Sequence, residues 1–180
     1  GHRDILWRAL PPRRSLARAV REEVLGGFRD VFRSGDAREV HGLLDHFRIL
    51  CALREGPYGV RAVNLMVEEI LRKETLIRGD GRWYPGRPVL ITRNDYELRL
   101  FNGDVGMTLP DPASSGELRV FFPGTGAEMR RFHPLRLPEH ETVYAMTVHK
   151  SQGSEFDRVL LLLPDRDAPV LTRELVYTAV

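Results

Sequence analysis

The sequence predicts an α/β domain built on a parallel sheet, interrupted by a small all-β insertion and then resumed. Three observations carry that prediction. Apolar residues recur at three- and four-residue steps between about Leu16 and Arg72, the spacing of helices that bury one face. From Gly81 to Leu137 the texture changes to short β-rich runs divided by Gly, Pro, Asn and Asp. After Pro138 near-continuous apolar strands return, the pattern of strands covered on both faces. With 180 residues, 42% hydrophobic and 29% charged, the chain can bury one core of this kind; it is too short for a two-lobed motor and too apolar to be fully disordered.

The elements follow in order. Arg3 to Arg14 is irregular and basic, and the Pro11-Pro12 pair blocks a helix there. Ser15 is a suitable N-cap for a helix whose stripe is Leu16, Ala19, Val20, Val24, Phe28 and Val31, weakened as one unbroken helix by Gly26-Gly27. A second amphipathic segment, from about Asp36 to Phe47, presents Val40, Leu43, Leu44 and Phe47. Ile49 to Leu53 reads as a buried strand, Glu55 to Gly59 as a turn, and Asn64 to Arg72 as a helix through Leu65, Val67, Ile70 and Leu71. The β-rich runs are Pro88 to Thr92, Val105 to Leu109, Leu118 to Phe122 and Met129 to Phe132, and their spacing suggests a small barrel. Thr142 to Val148 reads as one apolar strand, His149 to Glu155 as a polar loop, and Arg158 to Leu163 as a Val/Leu strand. Thr172 then caps a helix with Glu174 in its first turn. That helix meets no stop signal before Val180, so the chain is expected either to be cut inside an element or to have a disordered remainder, and Gly1-His2 is expected to be the remnant of a tag.

Composition excludes several functions. The net charge of +2 permits nucleic-acid binding without demonstrating it. Only two of the 27 basic residues are lysines, Lys73 and Lys150, and neither follows a glycine. A phosphate-binding P-loop needs that Gly-Lys pair, so the chain is not expected to hydrolyse a nucleoside triphosphate alone. Cys51 is the single cysteine, which excludes an internal disulfide or a multi-cysteine zinc site and fits a reducing cytoplasm. The longest strongly apolar run, Val159 to Leu163, falls far short of the roughly 20 residues of a membrane span. His41 and His46 do not share a helix face, and His140-Glu141 lacks the second histidine of a zinc-protease helix, so no metal site is expected. Ser114-Ser115 has no nearby base, and no carboxylate pair of the metal-dependent nuclease kind occurs. Trp83, Tyr84 and Phe101 could stack on bases, but all three are expected in the barrel core, Phe101 above all.

The distinctive stretch is Thr147-Val148-His149-Lys150-Ser151-Gln152-Gly153-Ser154-Glu155-Phe156-Asp157. Lying between two buried strands, it would emerge at the carboxyl edge of a parallel sheet, where open α/β sheets bind ligands. Its hydroxyls and Lys150 suit phosphate oxygens, Gly153 allows close backbone approach, and Glu155 could accept hydrogen bonds from ribose hydroxyls. The same composition equally fits a polar connection with an incidental lysine.

The order of these stretches, however, resembles a known family. Ala145 to Phe156 resembles motif V of superfamily 1 helicases in the form used by the RecD branch. Leu171 to Val180 is similar to the lead-in to motif VI, and Ile49 to Gly59 to the motif IV region. Gly86-Arg87-Pro88-Val89, with Asn94-Asp95 and Leu100 to Gly106, resembles the start of the small SH3-like barrel inserted in the second motor lobe. The resemblance covers most of Ile49 to Val180. It implies a RecA-like parallel-sheet lobe, P-loop NTPase-like but without the P-loop, over 1–80 and 138–180, with the SH3-like barrel inserted at 81–137.

The implied activity is that of a 5′-to-3′ DNA helicase in double-strand-break repair and recombination. It would work in the cytoplasm beside the beta and gamma subunits of exodeoxyribonuclease V (RecB and RecC), on single-stranded DNA and away from membranes. ATP and magnesium would be held mainly by a first lobe outside this chain. By the same resemblance Thr147 and His149 face DNA together with Lys150 and Ser151, and Gly153 and Glu155 lie toward the nucleotide. Arg54 is placed at the γ-phosphate, a role that competes evenly with that of a surface arginine. The motif VI arginine would fall just beyond Val180, and no catalytic residue is expected within the chain. Two other readings remain open: a binding module acting through the barrel, and the helicase part of a conjugative relaxase.

Overall fold

The computed structural model describes residues 5–126, 128–165, 169, 171–173 and 175. The first helix, α1 (Arg13–Ala19), starts directly after Pro12, which occupies the cap position with extended backbone. Ser15 therefore lies inside the helix rather than capping it, and donates its Oγ hydrogen to the Pro12 carbonyl at 3.0 Å. A turn at Val20 separates α1 from α2 (Arg21–Phe28), and α2 runs unbroken through Gly26 and Gly27. Gly27 serves packing rather than a break. A Cβ there would lie 1.9 Å from Phe47 Cδ1, so the Phe47 ring reaches the helix backbone and meets Phe28 edge-to-face at 5.2 Å.

The next helix, α3 (Ala37–His46), is capped by Asp36, whose carboxylate accepts from the Arg38 and Glu39 amides at 2.9 and 2.8 Å. It delivers the chain to β1 (Arg48–Cys51), buried along its whole length. After a tight turn, α4 (Val60–Lys73) begins after the N-cap Gly59, four residues ahead of the periodic stretch, and buries Val60, Val63, Val67, Ile70 and Leu71. Gly59 permits that early start: a Cβ on it would meet the Glu55 carbonyl oxygen at 2.5 Å.

The β-rich stretch forms β2 (Pro88–Ile91), β3 (Val105–Asp111), β4 (Glu117–Pro123) and β5 (Met129–Phe132). A fifth strand, β6 (His140–Thr142), pairs antiparallel with β2, giving the sheet order β5-β4-β3-β2-β6. The remaining strands, β7 (Ala145–Thr147) and β8 (Val159–Leu162), flank β1 in a three-stranded parallel sheet of order β7-β1-β8.

The apolar run Thr142 to Val148 is thus two strands in two sheets. Thr142 pairs with Val89 of β2, whereas Ala145 pairs with Ile49 of β1. Between them Val143 and Tyr144 are fully buried at the junction. An unbroken apolar run carries no mark of the point where its backbone changes partners.

Alternation along β1 divides the core. Ile49 and Cys51 join the main cluster under the four helices, while Leu50 faces a second cluster with Met146, Val148 and Leu90. A third cluster, Val89, Ile91, Leu100, Val120 and Phe122, fills the antiparallel sheet. The sheets are tied by a polar chain: the Tyr84 hydroxyl donates to Glu68 at 2.6 Å, lies 3.2 Å from the Tyr144 hydroxyl, and Tyr144 donates to the Gly86 carbonyl. Burial raises both phenols far above their ordinary range, which keeps them neutral donors. Phe101, expected inside, is instead 43% exposed beside Tyr96, because it opens the Asn102-Gly103 turn at the tip of the β2–β3 connection.

Candidate functional site

Parallel pairing sets Cys51 beside Thr147, so β1 and β7 end together and their following segments emerge at one edge. Asn64 of α4 fixes that arrangement. Its side-chain amide donates to the Ala145 carbonyl at 2.9 Å and accepts from the Ala145 N–H at 2.9 Å, as a neighbouring strand would. The free side of β7 is closed by this amide.

Beyond β7 the chain makes a single 3-10 turn, Val148–Ser151. Thr147 caps it, its Oγ1 accepting from the Lys150 amide at 3.3 Å. Val148 is buried as the anchor, and Ser151 is buried as well, donating its hydroxyl to the Val148 carbonyl at 2.8 Å. His149 and Lys150 on the same turn are exposed, as are Gln152 to Glu155. Gly153 adopts φ +83° with open space around the position of a Cβ, a conformation that favours glycine and leaves its backbone accessible.

The far end of the loop is clamped. The Asp157 amide donates to the Asp45 carbonyl at 3.1 Å, and its carboxylate pairs with His46. The Phe156 ring lies 5.1 Å from the guanidinium carbon of buried Arg48, which donates to the Val143 carbonyl at 2.7 Å and the Leu44 carbonyl at 3.3 Å. Burial lowers Arg48 to about 10, still charged at neutral pH. The loop is therefore fixed at both ends and open to solvent in the middle.

Arg54 leaves the same sheet edge after β1, its carbonyl accepting from the Arg61 amide at 3.3 Å. Its guanidinium is exposed and donates to Glu141 Oε2 at 3.0 Å, while Lys150 Nζ donates to Glu141 Oε1 at 3.2 Å. Arg54 and Lys150, nearly a hundred residues apart in the chain, thus meet on one carboxylate. Sequence reasoning passed over Glu141, which it weighed only as part of an incomplete metal motif; nothing local marks a glutamate on β6 as facing these two cations.

A cleft of about 270 Å³ lies behind the loop among His41, Leu44, Arg48, Val105, Phe122 and Phe156. Ser154 of the loop lines it, whereas Arg54 and Lys150 lie outside it. Cys51 is buried and its thiol is pushed up to about 12 by desolvation, which makes it an inert core residue. Among the described residues no group of three His, Cys, Asp or Glu side chains could hold a metal ion, and no helix is long and apolar enough to cross a membrane. The Thr172 hydroxyl accepts from the Leu175 amide at 3.2 Å, in the manner of a helix cap. Gly1-His2, Glu174 and residues 176–180, with most of the motif VI lead-in, lie outside the described residues.

Comparison with known proteins places these features in a family. A profile of the UvrD-like helicase C-terminal domain matches residues 142–180, the stretch that holds β7, the loop and β8. The chain is 47% identical to the RecBCD enzyme subunit RecD of Mycolicibacterium smegmatis over 150 residues, 81% of this chain and 25% of that protein. It is 41% identical to the RecBCD enzyme subunit RecD of Haemophilus influenzae over 74% of this chain and 19% of that protein. It is also 37% identical to the ATP-dependent RecD2 DNA helicase of Deinococcus radiodurans over 73% of this chain and 18% of that protein. The chain spans a quarter or less of the length of these relatives. By its sequence, the chain belongs to the RecD family.

Proposed function

We propose that this chain is the second motor lobe of an ATP-dependent DNA helicase of RecD type. The observation that carries the reading is the exposed loop at the carboxyl edge of the parallel sheet, where Arg54 and Lys150 converge. In this reading residues 1–80 and the chain from about 143 onward form the RecA-like lobe, the expected boundary at 138 moving past β6, which pairs with β2 in the antiparallel sheet. The antiparallel sheet, whose last strand returns beside its first, is an inserted SH3-like barrel centred on 81–137. Thr147, His149 and Lys150 contact the DNA backbone, and Ser151 serves that contact by holding the turn. Arg54, Gly153 and Glu155 face the nucleotide; all three are exposed, which suits the open half of a split site. The guanidinium of Arg54 would supply charge to transferring phosphate oxygens. In this reading ATP and magnesium are held mainly by the first lobe of the parent.

The parent enzyme would translocate 5′ to 3′ on single-stranded DNA in the cytoplasm, with the beta and gamma subunits of exodeoxyribonuclease V (RecB and RecC), in double-strand-break repair and recombination. Lobe closure around ATP would alternate the grip on DNA. The isolated chain should show no DNA-stimulated ATPase. Labelled single-stranded DNA, titrated at two salt concentrations, should bind with a log–log salt slope of roughly −0.7 per phosphate contacted. Absence of salt-dependent binding, or ATP turnover above background by the chain alone, would overturn the reading. A binding-module function of the antiparallel sheet is favoured by one observation, the exposed Tyr96–Phe101 pair with ring centroids 6.1 Å apart. In that case Phe101→Ala, and not Lys150→Ala, would abolish binding.

A further inference from the structure

We propose that Glu141 is a positioning residue that holds Arg54 and Lys150 in a resting arrangement, so that phosphate oxygens compete with one shared carboxylate for both cations. This rests on the reading of the loop as a phosphate-binding face, and goes beyond it by assigning that face a built-in competitor.

Three elements converge on the contact. Arg54 follows β1, Lys150 lies on the turn after β7, and Glu141 sits on β6 of the antiparallel sheet. Each carboxylate oxygen takes one cation, Oε2 from Arg54 Nη2 at 3.0 Å and Oε1 from Lys150 Nζ at 3.2 Å. The Arg54 side chain is 59% exposed, against 29% for Glu141 and 30% for Lys150. The Arg54 guanidinium is therefore the member free to swing away, while Lys150 and the carboxylate are equally half-buried. Strand pairing holds the carboxylate there, because Glu141 is opposite Leu90 of β2.

The charge balance follows directly. One negative charge faces two positive ones, so the pair of cations keeps a net positive charge that attracts an anion. Glu141 nevertheless lowers the affinity for any anion by the cost of breaking its two contacts. A phosphodiester or phosphate group offers the same oxygen acceptors and takes the place of the carboxylate. Since Glu141 belongs to the antiparallel sheet, any shift of that sheet against the parallel one changes how firmly both cations are held.

The test is a mutant cycle on the full 180-residue chain, with labelled oligo(dT) as the probe and thermal melting to confirm folding. Glu141→Gln keeps the size and the strand position but removes the charge. It should tighten oligo(dT) binding about three- to tenfold at low salt, the range expected when two exposed ion pairs no longer compete. In the background Arg54→Ala/Lys150→Ala the same substitution should change binding less than about twofold. A purely structural role for Glu141 would weaken binding instead, and a general field effect would give the same gain in both backgrounds; either result overturns the proposal. If Arg54→Ala/Lys150→Ala binds as the wild type does, or the wild type does not bind, the phosphate-binding face falls and the role of Glu141 with it. If that variant is weakened while Glu141→Gln has no effect, only the role of Glu141 falls.

Discussion

Replacing Asn64 by alanine should unfold the loop's support before any surface residue does. The Asn64 amide makes three bonds: Nδ2 donates to the Val60 and Ala145 carbonyls at 3.0 and 2.9 Å, and Oδ1 accepts from the Ala145 amide at 2.9 Å. The Val60 carbonyl lies inside α4 and keeps the bonding of its helix. Ala145 does not have that recourse, because β7 is an edge strand of the parallel sheet and the residue is 1% exposed. Truncation leaves one buried N–H and one buried carbonyl without partners, each worth about 1 to 3 kcal/mol, or about 2 to 6 kcal/mol together. At about 2–4 °C per kcal/mol for a chain of this size, the melting midpoint should fall by roughly 5 to 20 °C. Asn64→Asp should be as damaging, since it removes the donor and buries a charge. Thermal or urea unfolding followed by circular dichroism measures this. A loss below about 0.5 kcal/mol for both variants would refute the argument that a side chain closes the sheet edge.

The two adjacent glycines of α2 should respond with opposite signs. Gly26→Ala meets only Arg158 Nη2 at 3.8 Å and should stabilise the chain by about 0.5 to 1 kcal/mol. Gly27→Ala places its methyl 1.9 Å from Phe47 Cδ1 and should destabilise by about 1 to 3 kcal/mol in the same unfolding assay. Cys51 should resist a thiol reagent such as DTNB at pH 8 in the folded chain and react fully once unfolded, because burial keeps the thiol protonated to about 12. Rapid labelling of the native chain would contradict its place in the core.

Much of this architecture is legible in the sequence wherever periodicity and punctuation agree. Asp36 capping α3, the buried β1 and the four runs that became β2 to β5 all announce themselves through local chemistry. The errors arise where tertiary contacts decide. Gly26-Gly27 looks like a break, but the deciding partner is Phe47, some twenty residues away. Thr142 to Val148 looks like one strand because burial on both faces erases any sign of a change of sheet. Phe101 reads as core by composition, yet its turn carries it outward. At the candidate site the loop itself could be read from residue types at a strand end. The convergence of Arg54 and Lys150 on Glu141 could not, because it depends on how two sheets meet.

The central claim is that the turn from Thr147 to Ser151 meets the DNA backbone, with Arg54, Gly153 and Glu155 beside it turned to the nucleotide. Backbone amide NMR spectra of the labelled chain, recorded as oligo(dT) is added, test it residue by residue. The account predicts shifts concentrated at residues 147–151, fading as salt is raised. Shifts confined to the antiparallel sheet around Tyr96 and Phe101, with the loop signals unmoved, would contradict it.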